Sequence, residues 1–247
     1  MTELSVNVNK VALLRNTRTI GIPSVTEAAR VVIEAGAYGV TVHPRPDQRH
    51  ITPVDVDDLY DMLKVYSDVE FNIEGNPYHN LLDVVRKTPP TQCTLVPDDP
   101  DQFTSDHGWN MTENLERLKP IVKEMKDLGC RVSLFMDPDP EQIRLVPEVG
   151  ADRIELYTEP YADAFDRGED ACADVLSSFV AAGEYAQNLG LAVNAGHDLN
   201  LDNVTTFCRA VPNVLEVSIG HALIADALVM GLEKTTKAYL EALTAAG

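Results

Sequence analysis

Basic residues are scarce in this chain: 20 Lys and Arg stand against 39 Asp and Glu in 247 residues, a formal net charge of −19. That balance excludes non-specific nucleic-acid binding, because a polyanion needs a basic footprint. It also requires that any anionic ligand be captured by a local cationic pocket set in a repulsive field. Aromatics are few, at 6%. The four cysteines, Cys93, Cys130, Cys172 and Cys208, form no CxxC pair, so metal-ligand spacing is absent and packed, reduced thiols are expected. No run approaches the roughly 18 apolar residues of a membrane span. The N-terminal MTELSVNVNK lacks the basic-then-apolar order of a signal peptide, and a cytoplasmic protein without membrane partners is expected. No GxGxxG fingerprint follows the first β-rich run, and no HxH or HExxH pattern occurs. A classical dinucleotide fold and a metal-dependent hydrolase are thereby disfavoured, and no metal is expected.

What is present is a regular alternation. Hydrophobic residues make up 45% of the chain, normal for a globular protein. Short β-rich runs are predicted at 4–9, 39–43, 70–74, 92–96, 131–136, 153–157, 192–195 and 214–219. Amphipathic stretches separate them, among them 24–35, 55–66, 111–128, 140–149, 173–189 and 222–245. Ser24 with Glu27 reads as a capping box, and Thr112 is a candidate cap for the 111–128 stretch. Gly36, Gly129, Gly150 and Gly190 suit the left-handed position that closes a helix. Eight strand–helix units in about 250 residues is the arithmetic of a (β/α)8 barrel, a TIM barrel. A doubly wound sheet shares the local pattern, but the even repeat and missing fingerprint favour the barrel. With no linker, residues 1–247 read as one domain.

In such a barrel, residues at the C-terminal strand ends face the active site. Asn7, Asn9 and Lys10 fall at the end of the first run, His43 and Arg45 after the second, and Glu74 at the end of the third. Glu155 lies inside the sixth, His197 follows the seventh, and Gly220 and His221 follow the eighth. Counting His50, four of the six histidines lie at strand ends or in the loops after them. The block from His43 to His50 is a cationic island whose Arg45 and Arg49 suit a phosphate or carboxylate. A solvated loop, with Asp47 pairing an arginine, is the plainer alternative. Arg15 and Arg18, read as a loop after the first strand, would add to the island. Gly220 at a helix start suggests a second anion site, with His197 beside it as an acid or base. Glu74 and Glu155 are either catalytic or structurally paired to a neighbouring Arg or Lys. The stretch 97–109 is long for a βα loop and reads as a lid carrying Thr104.

The runs NVNKVALLRNTR, HPRPDQRHI, LVP, VNAGH and IGHA occur in an order that resembles the pyridoxine 5′-phosphate synthase family. The resemblance implies a (β/α)8 barrel with extra short helices, assembled as a homo-octamer, and no metal or organic cofactor. It implies condensation of 3-amino-2-oxopropyl phosphate with 1-deoxy-D-xylulose 5-phosphate to pyridoxine 5′-phosphate, phosphate and water. By position, His43 and Glu74 resemble the family's proton acceptors, His197 its proton donor and Glu155 its transition-state stabiliser. Arg45, His50 and Thr104 match contacts to the deoxyxylulose phosphate. Asn7, Arg18, Gly220 and His221 match contacts to the amino-oxopropyl phosphate. Asn9, Lys10 and Asp198 stand at substrate-binding positions while departing from the residues many relatives carry. Two other readings use the same residues: an aldolase or isomerase acting on another sugar phosphate, and a non-catalytic barrel that binds a phosphometabolite.

Overall fold

The computed structural model describes residues 1–247, the side chain of Glu169 excepted. Eight parallel strands, β1 (Glu3–Asn7), β2 (Gly39–Val42), β3 (Glu70–Gly75), β4 (Gln92–Leu95), β5 (Arg131–Met136), β6 (Arg153–Tyr157), β7 (Ala192–Gly196) and β8 (Val214–Ile219), close into a barrel in chain order. All eight expected runs are strands, within two residues at each end. β1 stops at Asn7 because Asn9 already opens a helix, and the Asn7 side chain accepts the Asn9 N–H at 3.0 Å.

The helices are α1 (Asn9–Asn16), α2 (Val25–Glu34), α3 (Pro53–Leu63), α4 (Leu81–Lys87), α5 (Met111–Asp127), α6 (Pro140–Ile143), α7 (Val146–Val149), α8 (Glu159–Asp166), α9 (Glu169–Asn188), α10 (Val204–Ala210), α11 (His221–Met230) and α12 (Leu232–Ala246). Four of these, α1, α4, α8 and α10, lie outside the six stretches given above, although eight strand–helix units require a helix after β3 and after β7, where α4 and α10 stand. Each of the four has only seven or eight residues and none has a side-chain N-cap bond, so the start signals that sequence offers are missing. Arg15 therefore lies on α1 rather than in a loop, and it pairs with Asp55 of α3 instead of joining the cationic island. The 140–149 stretch divides into α6 and α7, the second carrying Pro147 in its first turn. The 222–245 stretch divides at Gly231, whose φ of 87° a continuous helix cannot accommodate. Asn110, not Thr112, caps α5 by accepting the Glu113 N–H at 3.3 Å. Ser24 does cap α2, but Glu27 turns outward to Arg30; the complete capping box is Thr52 with Asp55 on α3.

Residue parity divides each strand between two environments. Leu4, Val6, Val40, Val42, Ile73, Leu95, Leu134 and Leu156 are fully buried and form the apolar layer under the helices. The alternate residues fill the barrel axis with polar groups: Ser5, Thr41, Asn72, Thr94, Glu155, Asn194 and Glu216 are all buried. Asn194 of β7 reaches across to Gln92 of β4 at 3.4 Å. Near the N-terminal strand ends Arg131 pairs with Glu70, and Arg153 pairs with Glu216 at 3.1 Å. These pairs close the bottom of the barrel. The four cysteines are free thiols, three of them buried and Cys208 half-buried.

Candidate active site

The C-terminal mouth gathers charged groups that burial alone would disfavour. His43 follows β2 and is held by its backbone N–H, which donates to the Asn9 side chain at 2.9 Å. Its ring lies between two carboxylates, with Nδ1 3.9 Å from Glu74 and Nε2 3.6 Å from Asp98. His50 stands edge-on to it, ring centres 6.4 Å apart, and its Nδ1 accepts the Ile51 N–H at 2.9 Å. Burial pushes the His43 pKa down to about 3, helped by Arg45 and Arg49. Burial does the same to His50, to about 3, helped first by His43. Both imidazoles are therefore neutral near pH 7.

The glutamates move the opposite way. Burial raises Glu74 to about 8, with Asp98 and then Glu216 adding repulsion. Glu155 is raised well above the carboxylate range by burial and then by Glu74 and Glu70. Neither carries an ion pair to Arg or Lys among the described residues. The structural pairing that was the alternative for them is made instead by Glu70 and Glu216. A carboxyl that holds its proton to about pH 8 can both donate and accept near neutrality, as a general acid–base group must.

The cationic island is wrapped by the loop after β4. Arg45 is almost wholly buried, pairs with Asp98, and donates to the Asp99 carbonyl at 3.2 Å. Arg49 donates to the carbonyls of Pro100, Gln102 and Phe103 at 2.9–3.0 Å and also pairs with Asp47 at 2.6 Å. The plainer reading of this block thus holds for Arg49 and Asp47. Asp98 is the residue that sequence reasoning missed. It lies three residues past the end of β4, and the strand-end rule extended along LVPD would have found it. Arg18 is exposed and stands apart, with no side-chain hydrogen bond or ion pair among the described residues.

Across the mouth, His197 follows β7. Its Nε2 lies 2.9 Å from the Thr104 hydroxyl, its Nδ1 lies 3.1 Å from Asp198, and its ring meets Tyr157 edge-on at 5.2 Å. The lid candidate therefore already touches the opposite side of the barrel through Thr104. A Cβ at Gly196 would run into the Glu155 carboxylate, which would have to shift to admit it. At the end of β8, a Cβ on Gly220 would lie 3.0 Å from the Asn7 side chain. Gly220 caps α11 with no side-chain bond, so the first-turn N–H groups beside His221 have no cap to satisfy them. Lys10, half-buried at the start of α1, and His221 both help to keep Asp198 ionised, after its bond to His197.

Glu159, His197 and Asp198 each bring one ligand atom within 4.8 Å of the others. Exposed carboxylates reach such spacing without an ion, and no metal is assigned to them.

A closed parallel barrel with acid–base groups and buried arginine at its C-terminal mouth defines a (β/α)8-barrel enzyme. Residues 4–245 match the family described as "Pyridoxal phosphate biosynthesis protein PdxJ", and the chain belongs to that family. It is 56% identical over 244 residues to a pyridoxine 5′-phosphate synthase of Albidiferax ferrireducens, covering 97% of this chain and 96% of that protein. A pyridoxine 5′-phosphate synthase of Bacteroides thetaiotaomicron is 49% identical over 239 residues, covering 97% and 98%. Among solved structures, phosphoribosyl anthranilate isomerase of Thermotoga maritima superposes with a TM-score of 0.62 at 13% identity, covering 99% of both chains. A chain of the Amycolatopsis orientalis BexX/CysO complex gives 0.65 at 16%, covering 100% and 91%. At such identities these two likenesses concern the fold alone.

Proposed function

We propose that this protein is a pyridoxine 5′-phosphate synthase. It joins 3-amino-2-oxopropyl phosphate to 1-deoxy-D-xylulose 5-phosphate and releases pyridoxine 5′-phosphate, phosphate and water. The observation that carries this reading is His43 set between Glu74 and Asp98, within a few ångströms of the Arg45 pair. Ring closure with successive dehydrations needs several proton transfers next to an anion grip, and this cluster supplies both.

In this scheme Glu74 and His43 accept protons, and His197 protonates a departing oxygen from the other side of the mouth. Glu155, held neutral, donates a hydrogen bond to charge developing in the transition state. Arg45, His50 and Thr104 bind the deoxyxylulose phosphate. The phosphate of the second substrate takes the α11 N-terminus with Asn7, Gly220, His221 and Lys10; Arg18 closes on it from the segment after α1, and Asn9 holds His43 in place. The loop 97–109 acts as the lid that shuts out water during dehydration.

The enzyme works in the cytoplasm as a homo-octamer. Supporting assembly, α1 packs on α11, and these two helices expose Leu14, Leu228 and Val229, the last at 89%. No described helix is long and apolar enough to cross a membrane. A Schiff-base aldolase would need a lysine inside the barrel, and the buried axial residues named above include none.

The test is direct. Purified protein mixed with both substrates should form pyridoxine 5′-phosphate, followed by absorbance and mass; absence of product with intact, folded protein would remove the proposal.

A further inference from the structure

We infer that Asp198 is a positioning residue for His197, fixing Nδ1 as the protonated nitrogen so that Nε2 alone faces the reacting groups. The inference rests on the reading of His197 as the proton donor, and it replaces the assignment of Asp198 as a substrate contact.

The geometry is unusual for adjacent residues. Along an extended chain, neighbouring side chains point to opposite faces and cannot bond one another. Here His197 and Asp198 both adopt the left-handed region, with φ of 84° and 58°. That turn brings the Asp198 carboxylate round to His197 Nδ1 at 3.1 Å. Neither residue is glycine, so the conformation must be held by its surroundings. Two side chains hold it. The Thr158 hydroxyl donates to the Gly196 carbonyl at 2.7 Å and also to that of His197. The fully buried Asn203 donates to the Asp198 carbonyl at 3.2 Å.

The chemistry then follows from donor and acceptor capacity. Asp198 is kept ionised, first by its bond to His197, and an ionised carboxylate can only accept. Nδ1 must therefore carry hydrogen in both the neutral and the charged ring. Nε2, 2.9 Å from the Thr104 hydroxyl, is left as the one nitrogen that gains and loses a proton. A carboxylate that fixes the tautomer of a working imidazole is a recurrent device at metal and hydrolase sites. Glu159, Lys10 and His221 also face this pair. None of them bonds Nδ1, so they do not duplicate the contact.

The experiment compares Asp198→Ala, which removes the acceptor, with Asp198→Asn, whose amide oxygen can still accept from Nδ1–H. Steady-state kinetics and nitrogen-15 NMR of labelled histidine are run on both and on the parent, with circular dichroism to establish the fold. The expected result is a 10- to 100-fold fall in kcat for Asp198→Ala with both KM values within about twofold. Asp198→Asn should recover most of that loss. The NMR should show His197 as the Nδ1–H tautomer in the parent and a mixture in Asp198→Ala. A raised KM with unchanged kcat would make Asp198 a substrate contact and overturn the inference, as would an unchanged tautomer. His197→Asn serves as the control for the underlying reading. If it turns over like the parent, His197 is not the donor, whereas the tautomer comparison still judges Asp198.

Discussion

Arg45 and Asp98 form an ion pair whose side chains are 5% and 3% exposed, although 53 residues separate them in the chain. The second oxygen of Asp98 is buried with no partner, and its first also faces His43. A single carboxylate thus ties the cationic island to His43 and to the loop above both. Breaking a buried pair by removing one partner strands the other charge. Asp98→Ala should therefore lose about 3–5 kcal/mol of stability in denaturant unfolding. A loss below about 1 kcal/mol would mean that water reaches Arg45 freely.

Arg45 offers a sharper functional test. A guanidinium holds a phosphate through a planar fork, and an ammonium does not. Arg45→Lys should raise KM for the deoxyxylulose phosphate much more than for the amino-oxopropyl phosphate. Equal changes for both substrates, or none, in steady-state assays would count against the grip.

Glu74 and His197 flank the mouth from β3 and from the end of β7, so their roles should separate. Glu74→Gln and His197→Asn should each lower kcat by ~10²–10⁴-fold, the usual contribution of a positioned acid or base. The two variants should stall at different steps and accumulate intermediates of different mass. Either residue is structural if its folded variant turns over at close to the parent rate.

Stability should also depend on pH in a way these groups dictate. Glu74 holds its proton to about 8 in the folded chain against an ordinary 4.5, so its contribution is full below about pH 4.5 and is lost as pH rises through 8. Glu155 has the same sign. His43 and His50 sit near 3 against an ordinary 6.5; their contribution is present above 6.5 and is lost as pH falls toward 3. Tm should therefore peak between these limbs. Glu74→Gln should flatten the alkaline limb, melting higher relative to the parent at pH 9 than at pH 5 in scanning fluorimetry. An unchanged alkaline slope would show that Glu74 is solvated.

The strand and helix pattern was legible in the sequence because its signals are local. All eight strands lie where short β-rich runs end in turns, and Gly36, Gly129, Gly150 and Gly190 all take positive φ at helix ends. The strand-end rule likewise picked out His43, Glu74 and His197 before any partner was known, and the inward-facing parity of the sixth strand picked out Glu155. Where capping signals were absent the reading gave no helix bounds, as for the uncapped α1, α4, α8 and α10. Tertiary structure alone decided the partners. It turned Arg15 to Asp55, laid the 97–109 loop so that Asp98 meets Arg45, and brought Thr104 to His197 across 93 residues. It also decided which glutamates are paired and which are left to titrate. Pairing and pKa depend on distance and on exclusion of water, and those are properties of the closed barrel rather than of any segment of the chain.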